Sequence, residues 1–82
     1  MKIQVTQECI DKGVRGEPAG CPIALALMWA GFPYPRVGAR MISTGVNLLH
    51  QNNKIYEFRR NFDLGRGVSP FEFETDELTK EY

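Results

Sequence analysis

Polar and apolar side chains alternate at the start of the chain, where Lys2, Gln4 and Thr6 flank the β-branched Ile3 and Val5. That period of two predicts a first strand over 2–6 with Ile3 and Val5 inward. Thr6 then suits the N-cap of a short helix over 7–12, with Cys9 and Ile10 toward the core and Gly13 ending the turn. Residues 14–20 have the Gly and Pro content of a surface loop. The pattern changes sharply at Pro22, which fits a first helical turn because its missing N–H is not needed there. Eight consecutive apolar residues follow, Ile23 to Ala30, before Gly31 offers a left-handed stop. A helix over 22–30 therefore has no polar side and must be covered on several faces.

After Gly31, the alternate prolines of Phe32-Pro33-Tyr34-Pro35 forbid helix and hold the segment extended. Strands are expected over 37–44 and 46–50 around Gly45, with Val46 and Leu48 inward and Asn47 outward. Asn52 or Asn53 caps a helix over 53–63, where Ile55, Phe58 and Phe62 recur at helical spacing and Lys54, Glu57, Arg60 and Asn61 turn outward. Residues 68–74 alternate Phe71 and Phe73 with carboxylates, and Pro70 marks them as an edge strand. Residues 75–82 read as a frayed acidic tail. The order β-α-α-β-β-α-β predicts one α+β domain over 1–82, a mostly antiparallel sheet with helices packed on one face. Its expected core is Ile3, Val5, Ile10, Ile23, Leu25, Leu27, Met28, Met41, Val46, Leu48, Phe58, Phe62 and Phe71.

Composition narrows the class. With 82 residues, 43% of them hydrophobic and nine aromatic, the chain is globular and buries roughly 60–65% of the surface its unfolded form exposes. The eight apolar residues of the central helix are hard to cover within so small a domain. Some of Ala24, Met28 and Trp29 are therefore expected to meet a second copy in a symmetric homodimer or another partner, the alternative being that the 32–35 loop folds back and seals the helix within one chain.

The net charge is zero but unevenly spread: residues 1–70 hold nine basic and five acidic side chains, and residues 71–82 hold five carboxylates against one lysine. Such an acidic end folds back on a basic body, meets a basic partner or stays solvated. No signal-peptide pattern opens the chain and no apolar run approaches the ~20 residues that span a bilayer, so a cytoplasmic protein without a membrane partner is expected.

The candidate chemistry is sparse. Cys21 precedes a helix, where the dipole favours a thiolate, but a nucleophile needs a base and the only histidine, His50, falls on a separate strand. Cys9, Cys21 and His50 lack the close pairs of a zinc site, and the Gly-Arg loops match no Walker or dinucleotide pattern. Neither an enzyme nor a metal or other cofactor is therefore expected. Arg36, Arg40, Arg59, Arg60 and Arg66 are either a solvated face or contacts for an anionic small molecule or a partner protein. Trp29 on the apolar helix, with Phe32 and Tyr34 in the rigid proline segment, completes the expected partner-binding set, because aromatics held on a stiff loop lose little entropy on binding.

The opening Lys2-Ile3-Gln4-Val5-Thr6-Gln7-Glu8-Cys9-Ile10-Asp11-Lys12-Gly13, the segment Cys21-Pro22-Ile23-Ala24-Leu25-Ala26-Leu27, and the closing Phe62-Asp63-Leu64-Gly65 with Val68-Ser69-Pro70-Phe71-Glu72-Phe73 resemble a family of small bacteriophage-encoded proteins. The likeness covers both ends and the apolar helix and leaves out residues 32–52. The family brings no assigned active site, so no functional residue carries over. What it implies is a phage origin, the cytoplasm of an infected bacterium, and action by binding and inhibiting a host factor, with counter-defence such as anti-CRISPR inhibition as one form. The alternative is a small-ligand binder that sequesters an anionic nucleotide signal, which requires a concave pocket lined by two or more arginines.

Overall fold

The computed structural model describes residues 1–45 and 48–75. Its first strand, β1 (Lys2–Val5), buries Ile3 and Val5 and exposes Lys2 and Gln4, as the alternation requires. Thr6 is the N-cap of helix α1 (Gln7–Lys12), its hydroxyl accepting the Cys9 N–H at 3.3 Å. Helix α2 (Pro22–Trp29) starts on an N-cap Cys21, whose sulfur accepts the Ala24 N–H at 3.4 Å. It stops before Gly31, which takes the φ of +108° that a side chain would resist.

The segment expected as one strand over 37–44 is two. Strand β2 (Arg36–Val37) turns at Gly38, whose N–H donates to Met41 O at 2.8 Å, and β3 (Met41–Ser43) runs back beside it. Strand β4 (Leu48–His50) pairs antiparallel with β3, making a three-stranded meander in the order β2-β3-β4. Helix α3 (Asn53–Asp63) is capped by the Asn52 side chain on the Ile55 N–H at 2.9 Å, and it buries Ile55, Phe58 and Phe62. Strand β5 (Phe71–Glu74) does not join the meander. It pairs antiparallel with β1, placing Ile3 opposite Phe73 and Val5 opposite Phe71.

The fold is α+β, as expected, but its order is β-α-α-β-β-β-α-β and its strands form two sheets rather than one. The two sheets explain the apolar helix. Helix α2 packs on β1 from one sheet, on β2 from the other, and on α1, so Ile23, Ala24 and Leu27 are fully buried. Each fully buried Leu or Ile side chain contributes about 1.5–3 kcal/mol relative to exposure. Leu25 is half-buried and the last turn is the most open part, with Met28 at 47% and Trp29 at 48% exposure.

Several core expectations are corrected. Met28 is exposed, while Leu25 and Met41 are half-buried and Ile10 and Phe71 pack partly buried against the core. Leu48 points outward at 66% exposure, and its neighbour Leu49 is buried. Two adjacent leucines fit either register of an alternating strand, and a slip of one residue exchanges the faces. Val46 lies outside the described residues, as do residues 76–82 of the expected tail. The described part of the acidic end does meet the start of the chain, through the amino terminus to Glu74 at 2.7 Å and Lys2 to Glu72 at 3.5 Å. Among the described residues no helix is long and apolar enough to cross a membrane.

Candidate partner-binding surface

The meander has a buried and an outward face, and the register sorts its side chains between them. Val37, Ile42 and Leu49 stand in one row across the three strands and are all buried. The rows on either side, Arg36, Ser43 and Leu48, then Met41 and His50, therefore share the opposite face. Arg36 and Leu48 are its exposed members. At the turn between β3 and β4, a Cβ on Gly45 would lie 3.1 Å from Tyr34 N and 3.2 Å from Pro33 Cγ. The proline segment thus lies against that turn, and Tyr34 stands 79% exposed beside it.

The other end of β4 opens into a groove of about 380 Å³ lined by Arg40, His50, Gln51, Asn52, Asn53 and Tyr56. The Gln51 N–H donates to Arg40 O at 2.9 Å, and its side-chain Nε2 donates to Gly38 O at 2.6 Å and Met41 O at 3.3 Å. Gln51 thereby ties the β2–β3 turn to the segment leading into α3. Its Oε1 is buried without a hydrogen-bond partner among the described residues.

The five arginines do not converge. Arg36 is on the meander and Arg40 in the groove, whereas half-buried Arg59 pairs with Asp63 at 3.1 Å and lies 5.7 Å from the Tyr56 ring. Asp63 also accepts the Gly16 N–H at 3.1 Å, which pins the 14–20 loop to α3. Arg66 donates to Asn61 at 3.4 Å, and Arg60 is exposed on α3. Phe32, expected in the contact patch, instead packs half-buried against the core, with its N–H donating to Leu27 O at 3.1 Å. Trp29 stays exposed, with the Lys12 ammonium 5.7 Å from its ring.

A second cavity, of about 150 Å³, is lined by Cys21, Arg59 and Asp63 together with residues of the 16–18 and 37–39 segments. Burial raises the Cys21 thiol above its ordinary pKa, outweighing the backbone N–H groups of Ala24 and Ile23 that pull it down. Cys21 and His50 line different cavities, so the arrangement does not pair a thiol with a base. Each of the two cavities has a single arginine. Among the described residues no three His, Cys, Asp or Glu side chains gather as a metal site.

No family model, curated protein or solved structure matches the chain. The surface itself carries the functional signal. All ten carboxylates of the chain lie in residues 1–17 and 57–82, so the whole run 18–56, which builds α2, the meander and the groove, holds none. Leu48, Gln51 and Tyr56 were not expected in a site. Only Tyr56 left a sequence signal, since it falls off the Ile55, Phe58, Phe62 stripe of its helix.

Proposed function

We propose that this protein acts without catalysis, by binding and inhibiting a host protein in the cytoplasm of a phage-infected bacterium. The phage origin rests on the resemblance of its two ends and apolar helix to small phage proteins. Counter-defence, such as anti-CRISPR inhibition, is the narrower form of the reading. The observation that carries protein binding is the exposed combination of Tyr34, Leu48 and Arg36 on and beside the meander. Tyr and Arg are the side chains that anchor protein interfaces.

The rival, sequestration of an anionic nucleotide, needs two or more arginines converging on one concave site. With one arginine in each cavity, protein binding has the better support. Isothermal titration against cyclic and linear nucleotides tests the choice. No heat of binding is expected at micromolar concentrations, and sub-micromolar binding of any of them would overturn the reading.

A further inference from the structure

We propose that the outward face of the meander, from Tyr34 to the groove at Arg40, is the docking surface, and that its partner is an acidic protein surface with carboxylates set among apolar side chains. The inference rests on the protein-binding reading above and adds the place and the chemistry. Charge complementarity is its basis. Arg36 and Arg40 are exposed and take part in no ion pair among the described residues, while the described pairs, Lys2–Glu72, Lys12–Glu8, Arg59–Asp63 and the amino terminus with Glu74, all lie elsewhere. The run 18–56 holds no carboxylate, and the nearby Glu17 and Asp63 line the cavity beside residues 37–39, with Asp63 already paired to Arg59. A partner's carboxylates therefore meet one guanidinium at each of two places, Arg36 on the meander and Arg40 at the groove. Each is free of ion pairs among the described residues and able to bind a carboxylate through two parallel N–H donors.

The apolar members set the rest of the partner's chemistry. Leu48 stands in the same row as Arg36 on the outward face, and Tyr34 stands at the adjacent turn. Burying them rewards a partner with apolar groups between its charges. A nucleic-acid backbone would reward neither residue, and binding one tightly takes many cationic contacts where this face has two. The stiffness of the platform also favours docking. Val37, Ile42 and Leu49 fix the strands from beneath, and Gln51 clamps Gly38 and Met41, so little order must be imposed on binding.

Amide chemical-shift mapping of the labelled protein, titrated separately with poly-L-glutamate and with a short DNA duplex, tests the surface without needing the host protein. Poly-L-glutamate should shift the amides of residues 34–43 and 48–56 selectively and lose affinity about tenfold or more in Arg36→Glu/Arg40→Glu. Retained amide dispersion in that variant shows that it folds, and the reversal Lys2→Glu/Lys12→Glu should leave the titration unchanged. The proposal is overturned if poly-L-glutamate produces no shifts, if the shifts centre on Lys2 and Lys12, or if the duplex binds the meander more tightly than poly-L-glutamate does. Failure here with silent nucleotide titrations would remove this surface and leave protein binding standing, whereas a nucleotide response would remove the protein-binding reading itself.

Discussion

Gly13 faces the ring of Pro22 so closely that a Cβ on the glycine would lie 2.6 Å from Pro22 Cδ. The glycine ends α1 with φ −68°, an angle open to any residue. What requires a glycine is therefore the approach of one helix end to the start of the next, not a left-handed turn. Gly13→Ala should destabilise the protein by about 1–3 kcal/mol through overpacking. Gly67→Ala, with nothing within 4 Å, should be neutral or slightly stabilising. Urea unfolding of the pair checks this, and equal midpoints would contradict the contact.

The adjacent leucines of β4 give the sharpest test of the meander register. Leu49→Ala should cost about 2–5 kcal/mol, whereas Leu48→Ala should stay within about 0.5 kcal/mol. Leu27→Ala, at the fully buried centre of α2, belongs with Leu49 and is expected to unfold the chain at a much lower temperature. Thermal melts that rank Leu48→Ala as the more damaging of the two strand variants would place the wrong leucine inside.

The helices were legible in the sequence because each carries a chemical start signal. Thr6, Cys21 with Pro22, and Asn52 cap where the side-chain chemistry says they should. The strands were less so. Gly38 is one small residue inside an apolar run, and Leu48-Leu49 satisfies both registers, so neither the extra hairpin nor the inward leucine could be read from alternation alone. The same limit applies to the surface. Tyr34, Arg36 and Arg40 were recognisable as exposed types in a stiff segment, but Phe32 has the same sequence context and folds back onto Leu27. The groove joins residues from the Gly38 turn, β4 and α3, and only the fold brings those together.

Burial holds the Cys21 proton more tightly in the folded protein than in the unfolded chain. The group's contribution to stability is complete below the ordinary thiol pKa and declines as the pH rises above it, because the unfolded chain then releases the proton first. In a Cys9→Ala background, stability should fall less steeply at alkaline pH once Cys21 is also replaced by Ala. Alkylation of Cys21 by iodoacetamide in the native protein should be far slower than in urea, and equal rates would contradict the burial.

Helix α2 is closed within one chain by the two sheets, α1 and the returning Phe32, so the case for a homodimer narrows to Met28 and Trp29. Sedimentation equilibrium at micromolar concentration should return 9.3 kDa. A mass that rises toward twice that value with concentration, and falls back in Trp29→Ala, would restore the dimer.

The central claim is that the protein works by holding a host protein on the meander face. Affinity purification from nuclease-treated bacterial lysate, with wild type and Arg36→Glu/Arg40→Glu as parallel baits of matched circular dichroism, tests it most directly. One acidic protein should be retained in stoichiometric amount by the wild type and lost from the variant. Equal recovery on both baits, or retention seen only when the nuclease is omitted, would contradict the claim.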